Sequence, residues 1–132
     1  MSQDNANPRI FGNDEPRTLF LLRHRFQKPP HEFEEAYAGH RAYFKRNLQS
    51  GRFIVVGPVV PWDGGMILAL AADRAEAERM VDEDPLVAAG ITQYEITEWK
   101  TTVRHPGFSE LLDELAATTQ ESDTQQCADW TR

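Results

Sequence analysis

The sequence is poor in cysteine and in positive charge. Cys127 is the single cysteine among 132 residues, so no intrachain disulfide can form and no cysteine–histidine zinc framework can be assembled. Fourteen lysines and arginines against 21 aspartates and glutamates give a net charge of −7, which repels phosphate backbones and anionic lipid headgroups. We therefore expect neither nucleic acid nor a membrane surface as a partner.

Long hydrophobic runs are missing as well. No apolar stretch approaches the roughly 20 residues that span a bilayer, and the residues after Met1 lack the basic and apolar parts of a secretory signal. With the single cysteine, this predicts a cytoplasmic protein. There is no glycine-rich phosphate loop and no serine or cysteine nucleophile motif. Neither His31 nor His105 has another histidine at the sequence spacing typical of metal ligands. We expect no cofactor and no metal.

Composition divides the chain into three parts. Residues 1–17 are rich in Asn, Asp and Pro and are predicted to be a flexible N-terminal extension. Residues 18–104 carry most of the apolar patterning and are predicted to form one domain. Residues 105–132 are predicted to be a short helix, from the spacing of Phe108, Leu111, Leu112 and Leu115, followed by a mobile polar tail.

Hydrophobic periodicity predicts the element order β-α-β-β-α-β. The predicted strands are 18–26, 52–60, 66–72 and 91–103. The first predicted helix is 31–50. The second begins at a capping box formed by Asp73 and Glu76 and ends near Asp84-Pro85. This order predicts an α+β, ferredoxin-like fold with both helices on one face of a four-stranded antiparallel sheet. A homodimer of the dimeric α+β barrel type, stacking two sheets, would cover the other face.

Three stretches carry a more specific signal. They are GHRAYFKRNLQSGRFIVVGP, the turn and strand that follow it, and DRAEAERMVDEDPLVAAGI. Together they resemble the YciI-like (YCII-related) family over about residues 18–103. The resemblance implies a ferredoxin-like dimeric protein whose proposed catalytic centre is a histidine with an aspartate, matching His40 and Asp84 here. One branch of that family resembles a dehydrochlorinase acting on a chlorinated hydroxyquinol, an activity that resemblance alone does not transfer. The N-terminal extension, the residues after Val103 and the turn at 62–65 depart from the family pattern.

The position of His40 in the sequence also makes it the leading candidate for a catalytic residue. It lies seven residues after Phe33, three after Tyr37 and four before Phe44, on the helix stripe that should face the sheet. An aspartate accepting its ring N–H would fix the tautomer and free the other nitrogen for proton transfer, and Asp84 could be that partner. The alternative is a histidine satisfied by a backbone carbonyl and an aspartate that only shapes the Asp-Pro turn.

Four further residues are candidates for substrate binding. Gly57 and Pro58 interrupt an apolar strand and could permit close approach of a ligand; the alternative, which the residues favour, is a purely structural bulge or sheet edge. Arg23 and Arg25 share one face of the first strand, opposite His24, and could hold an anionic substrate. The alternative is that both arginines simply face solvent.

The residues leave two functional classes open. The first is a small-molecule enzyme in which His40 moves a proton and Asp84 orients it, for elimination, isomerisation or hydrolysis. The second is a non-catalytic dimeric module that binds a ligand or serves as an accessory subunit. A different dimeric α+β barrel, similar to muconolactone isomerase or to cofactor-free monooxygenases, would share the element order but lacks the Asp-Pro stretch at 84–90.

Overall fold

The predicted element order is confirmed, with one short helix added. The computed structural model describes the backbone of residues 15–29 and 34–130 and the side chains through residue 118. The elements are β1 (Arg17–Phe26), α1 (Glu34–Ser50), β2 (Phe53–Pro58), β3 (Gly64–Ala69), α2 (Arg74–Asp82), α3 (Pro85–Ala88), β4 (Thr92–Thr101) and α4 (Pro106–Trp130). The extension through residue 14 and the predicted start of the first helix at residue 31 lie outside the described residues.

The four strands form one antiparallel sheet in the order β2-β3-β1-β4. The long strand β1 lies in the middle, where Leu22 faces Ile67 of β3 on one side and Ile96 of β4 on the other. This order, with both hairpin strands on the same side of β1, is the ferredoxin-like arrangement that the sequence predicted.

The core lies between the sheet and the two helices α1 and α2. Alternation along β1 puts Phe20 and Leu22 on the helix face, where each side chain is fully buried. The buried cluster around them consists of Tyr43, Phe53, Ile67, Ala69, Ala77, Met80 and Val81. Burial of each large apolar side chain stabilises the fold by about 1.5–3 kcal/mol. The same alternation carries His24 onto this face, at the end of the core.

Local capping explains where α1 ends and α2 begins. Gly51, at φ 85°, follows the last residue of α1 in a left-handed conformation that glycine adopts without steric cost. The Asp73 carboxylate accepts the Glu76 N–H at 2.8 Å, as the predicted capping box requires. Glu76 reaches back to the N–H of Ala72, at 2.6 Å, rather than to that of Asp73. The reciprocal bond of the box is therefore made one residue earlier than its usual position.

The short helix α3 was interpreted from the sequence only as a helix end and turn. Pro85 cannot donate a backbone hydrogen bond and keeps Asp84 extended, at φ −70° and ψ 120°, so α2 cannot continue through it. Asp84 instead caps a new helix by accepting the Leu86 N–H at 3.0 Å. Leu86 is fully buried and anchors α3 to the core.

The C-terminal helix is longer than predicted. The sequence led us to expect a short helix and a polar tail, but α4 continues to Trp130. No glycine or proline follows Gly107, and Ala, Glu and Gln, which favour helices, are frequent there. The helix contacts α1, its Leu112 is fully buried, and Arg17 of β1 forms an ion pair with Asp113. No helix in the part of the chain that the structure describes is long and apolar enough to cross a membrane.

The docking of α4 can be tested at Leu112. Replacing Leu112 by Ala should lower the free energy of unfolding by about 2–5 kcal/mol, because the side chain is fully buried and its loss leaves a cavity. The matched control is Leu48→Ala on α1, which is 40% exposed and should change stability by about 0.5 kcal/mol. Urea unfolding measures both, and equal effects would show that α4 does not pack against the folded domain in solution.

Candidate functional site

A cavity of about 360 Å³ opens beside β1, between α1 and the β2–β3 hairpin. It is lined by His24, Tyr37, His40, Arg41, Phe44, Val56, Gly57, Pro58, Gly64 and Gly65. Its size suits a small organic molecule, and its walls are mainly aromatic and aliphatic with a few polar groups. The sequence candidates His40, Gly57 and Pro58 are therefore brought together here.

His40 and Asp84 are in direct contact. The ring nitrogen Nδ1 of His40, from α1, lies 2.8 Å from Oδ1 of Asp84, which caps α3, and both side chains are buried. The same Oδ1 accepts the Leu86 N–H, and the other oxygen, Oδ2, accepts the hydroxyl of Tyr94 at 2.7 Å. The carboxylate thus has three donors, which is the condition for keeping a charge inside a protein.

These donors keep Asp84 ionised. Burial alone would raise the pKa of Asp84, but the hydrogen bonds from His40 and Tyr94 and the charge that His40 can carry outweigh it and hold the pKa below its usual range. An ionised carboxylate only accepts hydrogen bonds, so Nδ1 of His40 carries the proton in the contact with Asp84. In the neutral ring, Nε2 is then an unprotonated nitrogen.

Tyr94 is a site residue that the sequence did not identify. Burial, followed by the charge of Asp84, raises the pKa of Tyr94, so its hydroxyl stays protonated and donates. Alternation placed Tyr94 on one face of β4, but its contact with Asp84 depends on the register of β4 against β1, where Tyr94 lies opposite His24. Only the rule that a buried tyrosine hydroxyl needs a partner could have pointed to it.

His24 is a second imidazole in the cavity, and it also was not predicted as a site residue. Its ring centroid lies 5.5 Å from that of His40, edge to face, and its Nδ1 lies 3.2 Å from Oγ1 of Thr92. Burial, with a smaller effect of the His40 charge, lowers the pKa of His24 to about 4 although Asp84 acts in the opposite direction. His24 is therefore neutral at neutral pH.

Aromatic side chains hold the two imidazoles in place. The Phe44 ring lies 4.2 Å from that of His40, and Tyr37 meets the same ring edge to face at 5.8 Å. Tyr43 lies below them and donates its hydroxyl to the carbonyl of Met80 at 2.6 Å. Contacts of this kind restrict the rotation of the His40 ring and form the apolar wall of the cavity.

Arg23 and Arg25 do not line the cavity. The alternation that puts His24 on the helix face places both arginines on the opposite face of the sheet. Arg23 is paired there with Asp63 at 2.9 Å, and Arg25 with Glu95 at 3.2 Å. The hydrogen bond from Arg23 lowers the pKa of Asp63. A substrate contact from either arginine stays a prediction that the geometry of this cavity does not support.

A metal ion has no evident site in the described part of the chain. No group of three or more histidine, cysteine, aspartate or glutamate side chains is arranged there so that it could hold one. The Asp84 carboxylate is instead engaged by three hydrogen-bond donors.

Comparison with known proteins shows similarity to a family model, to a curated protein and to a solved structure. The family model of the YCII-related domain matches residues 10–100. Uncharacterized protein YjpA of Bacillus subtilis (strain 168) is 34% identical over 67 residues, which is 51% of this chain and 79% of YjpA. A solved structure, 5-chloro-2-hydroxyhydroquinone dehydrochlorinase (TftG) from Burkholderia phenoliruptrix AC1100 in complex with 2,5-dihydroxybenzoquinone, superimposes with a TM-score of 0.53 at 22% identity. The match covers 62% of this chain and 93% of that one, and at this identity it shows the fold alone.

Acidification should destabilise the protein through His24. Below pH 6.5 the unfolded chain binds a proton at this residue, whereas the folded chain does so only near pH 4. Stability should therefore fall as the pH is lowered through this window, by up to about 3 kcal/mol. The groups that act on His24 are His40, Asp84, Arg23 and Asp63.

Urea unfolding at several pH values between 4 and 8 measures this effect. In His24→Gln the titrating group is absent, so the difference in stability between wild type and variant should shrink or change sign as the pH falls from about 6.5 to about 4. A difference that stays constant across this range would contradict the lowered pKa of the buried ring.

Proposed function

The chain belongs to the YCII-related family, and on that premise we propose that it is a small-molecule enzyme in which His40 and Asp84 perform general acid–base chemistry. One observation carries the proposal: His40 lines a cavity and has its Nδ1 bound to an ionised, buried carboxylate at 2.8 Å. That arrangement is what a catalytic base needs, because the acceptor orients the ring and stabilises the imidazolium formed during the reaction.

The chemistry follows from the two nitrogens of His40. With Nδ1–H donated to Asp84, Nε2 has a lone pair with which to take a proton from a substrate or from a water molecule. The imidazolium then returns the proton to another atom of the substrate, which is an isomerisation, or to a leaving group, which completes an elimination or a hydrolysis. Asp84 remains ionised throughout and balances the positive charge.

The cavity and the structural neighbour suggest where to look for a substrate. A volume of about 360 Å³ with aromatic walls suits one small, planar organic molecule. TftG is named as a dehydrochlorinase and was solved with 2,5-dihydroxybenzoquinone. We therefore propose hydroxylated ring compounds as the first substrates to test here, with elimination as the first reaction.

We also propose a cytoplasmic location, because a chain with one cysteine cannot form the intrachain disulfides that are common in secreted proteins.

The role of the pair can be tested with 5-chloro-2-hydroxyhydroquinone and related chlorinated hydroquinones, following chloride release. On a compound that the wild type converts, His40→Gln should lower kcat by about 10²- to 10⁴-fold because the proton acceptor is lost. Asp84→Asn should lower kcat by about 10²-fold or more, because the imidazolium loses its counter-charge. Lys45→Gln, the same replacement residue on the exposed side of α1 and outside this cavity, should leave kcat unchanged.

Two results would contradict this function. Full activity of His40→Gln on a genuine substrate would remove His40 from the chemistry. Saturable binding of many ring compounds without conversion of any of them would favour the alternative, a ligand-binding or accessory module.

We further propose that the protein is a homodimer formed through the sheet face opposite the helices. This face carries large apolar side chains that remain exposed in one chain: Val55 at 56%, Met66 at 40% and Trp99 at 48%. A cavity of about 660 Å³ lined by Trp99, Val103 and Phe108 lies at its edge. Several large, exposed apolar side chains on one face are typical of a protein interface, and a second copy of the chain would cover them.

A charge on this face should disrupt the dimer. Met66→Glu would bury a carboxylate between two sheets and should raise the dimer dissociation constant at least about 100-fold. Leu48→Glu on α1 is the control, because Leu48 is equally exposed, at 40%, but does not lie on the sheet. Size-exclusion chromatography with light scattering over a range of concentrations measures both. A monomeric wild type, or equal effects of the two substitutions, would rule out this interface.

A further inference from the structure

His24 is a buried titratable group that the proposed chemistry of His40 and Asp84 leaves unused. We propose that His24 selects the substrate by accepting a hydrogen bond at Nε2 from an O–H or N–H group of the ligand, while His40 exchanges the reacting proton. This inference rests on the proposed function and narrows its substrate class to molecules with a second donor group beside the reacting one.

The tautomer of His24 follows from its partner. The Thr92 hydroxyl has one proton, and its Oγ1 lies 2.9 Å from the carbonyl oxygen of Arg25, which can only accept. With that proton engaged, Oγ1 can only accept in its contact with Nδ1 of His24. Nδ1 therefore carries the proton of the neutral ring, and Nε2 is a hydrogen-bond acceptor.

This acceptor belongs to a cavity-lining ring and has no donor among the described residues. His24 is 4% exposed and lines the cavity, yet no described residue donates a hydrogen bond to its Nε2. A Cβ at position 65 would lie 2.7 Å from Nε2, so this nitrogen lies directly beside Gly65, which also lines the cavity, and a larger residue there would clash with it. Buried acceptors are nearly always satisfied, and here a ligand or a water molecule in the cavity is placed to supply the donor.

The second imidazole makes the ligand class more specific. The rings of His24 and His40 lie 5.5 Å apart and both line the cavity, so one small molecule can contact both. Two nitrogen lone pairs favour a ligand with two neighbouring donors, such as an aromatic diol or an enediol. An ether or a carboxylate placed at His24 would leave Nε2 unpaired, and a site of this kind rejects an analogue that lacks the donor.

The first test reads the tautomer of the wild-type protein directly. Long-range ¹H–¹⁵N spectra at neutral pH should show His24 protonated at Nδ1 and unprotonated at Nε2. A proton on Nε2 would turn the residue into a donor and would overturn the proposal. This measurement needs no variant and no substrate.

The second test uses catechol and its dimethyl ether, 1,2-dimethoxybenzene, as matched probes. The wild type should bind catechol about 3- to 10-fold more tightly than the ether, with the His24 ring resonances shifting on binding. His24→Phe keeps an aromatic ring but removes the acceptor, and it should reduce this preference to about twofold or less. Lys45→Phe, which introduces the same residue on the exposed side of α1 outside this cavity, should retain the wild-type preference.

Thr92→Val provides a second variant that keeps the histidine. Removing the hydroxyl releases Nδ1 from its partner and should also weaken the preference for catechol, even if His24→Phe does not fold. An undiminished preference in either folded variant, or no saturable binding of catechol by the wild type, would overturn the proposal. Binding is measured without turnover, so this result is independent of whether His40→Gln loses activity.

Discussion

The buried carboxylate of Asp84 joins three elements at one point. It accepts hydrogen bonds from the His40 ring on α1, from the Leu86 N–H at the start of α3, and from the Tyr94 hydroxyl on β4. A buried charge is tolerated only when such donors surround it. Removal of any one donor would therefore destabilise the ionised carboxylate. The contact therefore serves two purposes at once, because the same hydrogen bonds that dock α1 and α3 near the sheet also fix the ring that faces the cavity.

The two imidazoles reach the same tautomer by different means, and this difference divides their roles. His40 keeps its proton on Nδ1 because its partner is an anion, whereas His24 does so because its partner, the Thr92 hydroxyl, has already given its own proton to a carbonyl. An anion stabilises a second proton on the ring, and a hydroxyl does not. These contacts support the roles that we propose, proton transfer for His40 and a neutral acceptor for His24, whose pKa is lowered to about 4.

Periodicity and resemblance predicted the fold and half of the site. The three- and four-residue spacing on α1 placed His40 toward the sheet, and the resemblance paired it with Asp84. His24 and Tyr94 were missed because their roles depend on the register between β1 and β4, which joins residues far apart in sequence. The extent of α4 was underestimated for a different reason: polar residues that suit a helix as well as a tail contain no stop signal.

Arg23 shows how the two faces of the sheet are connected. Arg23 lies on the open face, yet it donates to the carbonyl of its neighbour His24 at 2.7 Å and to Asp63 in the hairpin turn at 2.9 Å. The Phe26 N–H adds a bond to the Asp63 carbonyl at 2.8 Å. These contacts hold the hairpin turn against β1, where a Cβ on Gly64 would overlap the His24 carbonyl oxygen. The glycines that leave room beside His24 are thus held in place by contacts that Arg23 makes on the open face of the sheet and by the hairpin turn.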